Sequence, residues 1–357
     1  MSDPSLIATA LRTKKRFKIG LLRQFREAAY LRYSDCRLDP WEYYFFEVYL
    51  DRYPIVEKQR FVGWRREVHI DRLLNAGPDR EVANDKIAFY ALMHSKGAPV
   101  PRVVAIYRGN GRHFPGAALL HDAERAADYL CDPVNAPFFA KPIRGAHGGG
   151  TWAISGPSDD GRELLTTCGR RIGIPDFIAS LDVHAQGGFL IQPLLRTHDA
   201  IGDLCGDRLT SLRIIVILAP AGPEILSAVW KIPTGTNITD NFDIGRTGNI
   251  VAGIDLDTGR VRRVVRGDYW RNIPLDAHPD TGVRFGDFHL PDWPTVTTLC
   301  LEHARHFPGL RLQHWDIALS DQGPVILELN VAAGMRTHQI VQQRGIFGER
   351  LRKLGSN

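Results

Sequence analysis

Two apolar runs, residues 315–319 and 325–331, flank the turn cluster Ser320-Asp321-Gln322-Gly323-Pro324 near the C-terminal end of the chain. This pattern predicts a β-hairpin with a five-residue loop, in which Leu319 faces Val325 and Asp316 lies directly opposite Glu328. Alternation with a period of two then puts Glu328 and Asn330 on one face and Leu327 and Leu329 on the other, against the core. Two carboxylates and an amide oxygen converge. Facing carboxylates repel without a cation between them, and hard oxygen ligands on a rigid strand pair suit Mg²⁺ beside nucleotide phosphates. The alternative is a surface hairpin whose polar face is simply solvated.

Upstream, the period lengthens to that of a helix. Residues 1 to about 32 predict an amphipathic helical arm, with Leu11, Phe17, Leu21, Leu22 and Phe25 set among basic residues. The apolar side chains need cover, so the arm is expected to pack on the body. Docking on an anionic membrane face is the less favoured alternative. Asp39 and Pro40 cap and open a helix whose aromatic stripe reads as packing. Asn84-Asp85 precedes a three-turn helix over residues 86–96, stopped by Gly97, Pro99 and Pro101. A strand over 103–107 and a helix over 123–130 follow. Next comes an apolar strand ending in Lys141, a loop of glycines from Gly145 to Gly150, and a second strand from Thr151.

The rest alternates strands and turns, with a helix over 175–181 first. A buried strand leads to Gln192, Pro193, Leu194 and Leu195, and further strands carry Arg213 (209–218) and Lys231 (224–232). A polar loop over 240–249 precedes a strand over 250–254, and a helix over 295–306 leads into the hairpin. There is no internal repeat and no low-complexity segment.

At 357 residues, with 44% hydrophobic and 24% charged content, the chain has room for two or three subdomains and a substantial core. No apolar run is long enough for a membrane span, and the N-terminus lacks a signal-peptide pattern. Five scattered cysteines with no Cys-x-x-Cys spacing suggest reduced thiols in a cytosolic protein. The net charge of +5 is mild but partly local, since residues 12–26 hold seven Lys/Arg and no acid. No nucleic-acid module surrounds that cluster, so no nucleic-acid partner is expected.

The glycine loop is the second chemical stretch. Glycines let backbone N–H groups approach phosphate oxygens, and Lys141 adds a point charge. No Gly-Lys-Ser/Thr opens a helix here, and the glycines join two strands, so this is neither a P-loop nor a dinucleotide fingerprint. A plain tight hairpin explains the glycines equally well.

Lys86 at a helix start, Lys141 before a glycine loop, basic residues on later strands and an Asp…Glu-x-Asn hairpin occur in that order. The chain resembles the ATP-grasp superfamily. More narrowly, Pro40-Trp-Glu-Tyr-Tyr-Phe-Phe, Asn84-Asp-Lys86, Phe139-Ala-Lys141-Pro, Asp240-Asn-Phe242 and His314-Trp-Asp316 resemble its sugar-transfer-associated group. The resemblance implies an α+β ATP-grasp fold, two α+β subdomains clasping ATP, after an N-terminal helical segment. The expected division is 1–80 helical, 81–195 the N-terminal subdomain with a glycine lid, 196–345 the catalytic subdomain and 346–357 a tail.

Carried over, the resemblance implies that Lys86 and Lys141 bind the α- and β-phosphates under a lid that includes Gly148, Gly149 and Gly150. Gln192, Pro193, Leu194 and Leu195 would line the adenine pocket, with backbone groups of that turn reading the base edge. Asp316, Glu328 and Asn330 would hold Mg²⁺, two ions with Glu328 bridging them. Arg213 would face the transferred phosphoryl group, with Lys231 and Asn241 also in the active site, whereas His147 reads equally as a solvated loop residue. The sequence departs from the pattern at Gln192, where many members place Glu, and at Gly245-Arg246, where a Gly-Gly pair is expected. The implied activity is an ADP-forming ligase that activates a carboxylate as an acyl-phosphate for an amine or similar nucleophile. A phosphotransferase, or a nucleotide-binding protein without turnover, is the alternative. The acceptor pocket is expected from the loops over 196–209 and 234–247.

Overall fold

The computed structural model describes residues 5–145, 149–184, 187–268, 271–331, 334–348 and 351. The N-terminal arm is two helices, α1 (Leu6–Phe17) and α2 (Leu21–Tyr33). The single arm expected over residues 1–32 breaks at Lys18, which adopts the left-handed region at φ 61°. Gln24 ties the turn together by donating to the carbonyls of Ala10 (3.3 Å) and Ile19 (2.8 Å). Phe17 packs on Tyr49, ring to ring at 5.1 Å. Leu11, Leu21, Leu22 and Phe25, expected to be covered, are exposed. The physical reason lies in the neighbouring aromatic stripe. Tyr43, Phe45 and Phe46 find their cover against one another and against Val229, Val251 and Val265 of a sheet. The helical pair adds Ala10, Phe17, Ala28 and Leu31 to that cover and leaves its other large apolar side chains outside.

Helix α3 (Pro40–Phe45) opens with a capping box, Asp39 with Glu42. Three helices that the pattern did not predict follow: α4 (Ile55–Lys58), α5 (Trp64–Leu74) and α6 (Asp79–Asn84). Helix α7 (Lys86–Ser95) starts where expected, because Asp85 accepts from the N–H groups of Ile87 (3.1 Å) and Ala88 (3.2 Å).

The first sheet contains β1 (Ala105–Tyr107), β2 (Ala118–Leu120), β3 (Phe138–Pro142), β4 (Trp152–Pro157), β5 (Glu163–Thr166), β6 (Arg171–Gly173) and β7 (Phe189–Pro193). Their order is β2-β1-β7-β3-β4-β5-β6, and only β1 and β2 pair in parallel. Helices α8 (Ala123–Cys131) and α9 (Ile174–His184) cover one face through Leu130, Phe177 and Leu181.

After α10 (Asp199–Cys205) comes the second sheet, made of β8 (Ser211–Ala219), β9 (Gly222–Ile232), β10 (Ile250–Ile254), β11 (Val261–Asp268), β12 (Arg271–Leu275), β13 (Leu312–Ser320) and β14 (Gly323–Asn330). The order is β12-β11-β10-β9-β8-β13-β14, antiparallel throughout. Alternate residues feed two cores. Ile250 and Ala252 belong to the core that α11 (Trp293–Ala304) enters with Val296 and Cys300, whereas Val251 belongs to the one that α12 (Met335–Gln342) enters with Ile340 and Val341. Burial on both faces makes β10 uniformly apolar, which is why its limits are legible. The described residues thus form an α+β protein of two sheets preceded by helices.

The β13–β14 hairpin differs from the expected one in an instructive way. Ser320 pairs with Gly323, so the loop is only Asp321-Gln322, and Leu319 faces Pro324 instead of Val325. Gly323, at φ 101°, supplies a backbone conformation that other residues resist. Ile317 pairs with Ile326 but Asp316 with Glu328, which leaves Leu327 as the extra residue of a β-bulge. The bulge restores the expected opposition of Asp316 and Glu328. It also turns Leu327 out of the core, where it was expected, and into the walls of two cavities.

Candidate active site

The two sheets meet at those cavities. The larger, about 1000 Å³, is lined by Phe139, Lys141, Gln192, Pro193, Leu194 and Leu195 on the first-sheet side. The loop over 235–240 and the segment 196–209, expected as a loop but built around α10, close it opposite. The smaller, about 350 Å³, collects Lys86, Lys141, Arg213, Lys231, Asp316, Glu328 and Asn330. Asn241 and Gly149 line it as well. The cavities share Phe139, Lys141, Ser211, Thr239, Asp240 and Leu327, so they form one continuous cleft. His147 and Gly148 lie outside the described residues, and Gly150 follows Gly149 at φ 72°.

Each side chain owes its position to a local feature. Lys86 is the first residue of α7, fixed by the Asp85 cap, and its Nζ donates to the Gly145 carbonyl at 3.2 Å. Glu328 Oε2 stands 4.0 Å from the same Nζ. Lys141, near the end of β3, donates to Tyr90 Oη at 2.7 Å and lies 5.2 Å from the centre of that ring. Tyr90 Oη in turn donates to the Leu327 carbonyl at 2.7 Å, so the bulged residue helps hold the lysine's partner. Burial, opposed by Glu328 and Asp316, lowers the Lys141 ammonium to about 8. Burial likewise lowers Lys86, with Glu328 opposing it and Lys141 adding to it.

Across the cleft the pattern changes. Arg213 reaches Asp316 through two bonds of 2.7 Å, Nε to Oδ1 and Nη2 to Oδ2, from a central strand of the sheet. Lys231 donates to the same Oδ2 at 3.0 Å and stands 3.4 Å from Asp240. Burial pushes the Asp316 carboxyl up, but Arg213 and Lys231 prevail and hold it far below the usual carboxylate range. The repulsion expected between Asp316 and Glu328 is therefore relieved by protein cations on both sides.

The oxygen set still fits a divalent cation. Each carboxylate oxygen has two acceptor positions, so Asp316 Oδ1, with one donor, keeps one free. Glu328, with its side chain 30% exposed, accepts from Asn330 Nδ2 at 2.9 Å, which leaves the Asn330 oxygen available. Hard carboxylate and amide oxygens are the ligand type that Mg²⁺ takes.

At the Gln192 turn, Gln192 Nε2 donates to the Pro101 carbonyl at 3.2 Å and the Leu194 N–H to the Pro137 carbonyl at 3.2 Å. Pro193 has no N–H. The carbonyl oxygens and the Leu195 N–H are thus the backbone groups this turn can offer.

Several lining residues have no signal in the sequence. Trp64, Glu67 and Val68 of α5, with Arg336 and Thr337 of α12, complete the smaller cavity. Glu67 Oε1 accepts from the N–H groups of Gly334 (2.7 Å) and Met335 (3.2 Å), capping α12 across 267 residues of chain. Arg336 Nε is buried there without a hydrogen-bond partner among the described residues.

Residues 65–355 match the family described as sugar-transfer associated ATP-grasp. The chain belongs to that family. This ATP-grasp protein is also similar to three solved structures, each at low identity. An ATP-grasp ligase, PsnB, complexed with a minimal precursor aligns at 18% identity over 79% of this chain and 63% of its own, with a TM-score of 0.40. D-alanyl-alanine synthetase A from Vibrio cholerae aligns at 11% over 79% and 68%, TM-score 0.46. The biotin carboxylase domain of the Hydrogenobacter thermophilus 2-oxoglutarate carboxylase, with MgADP and bicarbonate, aligns at 13% over 76% and 47%, TM-score 0.39. The chain thus spans about two thirds or less of those proteins. No curated protein matches it.

Proposed function

We propose that this ATP-grasp protein is an ADP-forming ligase. It would phosphorylate a carboxylate with ATP and let an amine or similar nucleophile displace the phosphate from the resulting acyl-phosphate. The observation that carries this reading is the continuity of the cleft. An uncharged end at Gln192–Leu195 suits a nucleotide base, and the path past Lys141 and Lys86 leads to Asp316, Glu328 and Asn330.

In this reading Lys86 and Lys141 bind phosphate oxygens, and an arriving phosphate raises the depressed Lys141 ammonium so that it stays charged. Asp316, Glu328 and Asn330 would hold Mg²⁺, which when bound neutralises charge on the transferring phosphoryl group. Arg213 gives Nε and Nη2 to Asp316 and turns Nη1 toward Gly334, where any Cβ would stand 3.5 Å from it. Nη1, which makes no bond to Asp316, is left to donate to the acyl-phosphate oxygens. Arg336, which lines the smaller cavity, would bring a cation to an anionic group of the acceptor.

The test is product analysis with ATP and Mg²⁺ against carboxylates and amines, singly and in pairs. Free phosphate with ADP only when both partners are present supports the ligase. ADP without free phosphate, from a hydroxyl acceptor alone, would make the protein a kinase.

A further inference from the structure

Eight of the sixteen large apolar side chains that stand exposed among the described residues fall within residues 6–33, a concentration that scattered surface residues do not show. Ile7 is 74% exposed, Leu22 72% and Phe25 73%. The buried positions of the same helices are Thr9, Thr13 and Gln24, with Leu31 the one large apolar side chain among them. Helix α1 is therefore inverted relative to an ordinary surface helix, which turns its apolar stripe to the core, and α2 leaves Leu21, Leu22 and Phe25 outside while burying Leu31. On α1, Ile7, Leu11 and Lys14 recur at the spacing of one helix face, and on α2 Leu22, Phe25 and Arg26 do the same.

The charge on this surface is of one sign. Residues 12–26 hold seven Lys/Arg and no acid. Arg23 pairs with Glu27 and Asp51, but Lys14, Lys15, Lys18 and Arg26 form no ion pair among the described residues. A two-fold contact between copies would bring the same cations against themselves, which disfavours a second copy as the occupant.

We propose that the α1–α2 face docks on an anionic lipid surface, with Ile7, Leu22 and Phe25 entering the headgroup layer and the free lysines facing lipid phosphates. Isolated large apolar side chains among long basic ones are the chemistry that inserts at such an interface. No helix among the described residues is long and apolar enough to cross a membrane, so the contact is peripheral. None of residues 6–33 lines either cavity, so this inference stands or falls apart from the ligase reading.

The experiment is flotation of the full chain with vesicles of phosphatidylcholine alone and with about one third phosphatidylglycerol. The chain should bind the anionic vesicles at least about tenfold better and be released by salt. The Leu22→Glu/Phe25→Glu variant should lose at least about tenfold, and Lys14→Gln about fivefold, with thermal unfolding unchanged because these side chains are exposed. Equal binding to both vesicles, binding to neither, or full retention by the folded variants overturns the proposal. So does a lipid-free dimer that Phe25→Glu dissolves, which would assign the face to a second copy.

Discussion

Lys86 and Lys141 on one side of the cleft, and Arg213 and Lys231 on the other, bring the same charge to the same cavity with partners of different kinds. The first pair donates to neutral oxygens, Lys86 to a carbonyl and Lys141 to a phenol, with Glu328 no nearer to Lys86 than 4.0 Å. The second pair is bound to a buried carboxylate through three bonds of 2.7–3.0 Å. Burial without a close counter-charge is costly, and this is why both lysines are depressed. The first side is thus poised for an anion from outside the chain. The second already has its own, and its cations serve the fold as well as the chemistry.

The largest expected effect comes from breaking the second side. Arg213→Met leaves Asp316 buried with Lys231 alone, and urea unfolding should show a loss of about 3 kcal/mol or more. Adding Asp316→Asn should recover part of that loss. If Arg213→Met is neutral, the two sides do not differ as described.

A smaller effect, on binding in place of stability, is expected from the first side. Lys141→Ala should weaken an ATP analogue by about 2 kcal/mol, roughly thirtyfold, in calorimetric titration, while unfolding changes little. An equal loss of stability would mean that Lys141 is structural.

The smallest effect sharpens the cause. With the Lys141 ammonium lowered to about 8, a bound phosphate pulls it up, so binding takes up a proton above that pH. Analogue affinity should be flat below about pH 8 and fall above it, by at most about tenfold per pH unit. Lys141→Arg, which stays charged, should move that fall to higher pH. A flat profile for the parent across this range would contradict the assigned burial.

Legibility in the sequence follows the range of the interaction. The start of α7 was readable because Asp85 caps its own helix. The limits of β10 were readable because both its faces are buried. The hairpin was readable to within its loop. A five-residue loop and a two-residue loop followed by a bulge leave Asp316 opposite Glu328 alike, so pattern alone could not separate them. The same bulge sent Leu327 to the cleft, where alternation had placed it in the core. The contacts of Glu67 with α12 and of Arg213 with Asp316 join residues 267 and 103 positions apart, and no local spacing signals them. The exposed face of α1 and α2 was misread because amphipathic period tells which residues share a face, not which way that face points.

The central claim is that this cleft binds ATP with Mg²⁺ held by the hairpin. Its most direct test is calorimetric titration of a non-hydrolysable ATP analogue, with and without Mg²⁺, into the parent and a folded Glu328→Ala variant. The account predicts that the parent binds more tightly with Mg²⁺ and that Glu328→Ala loses that Mg²⁺-dependent part. A folded parent whose binding is absent, or indifferent to Mg²⁺, would contradict it.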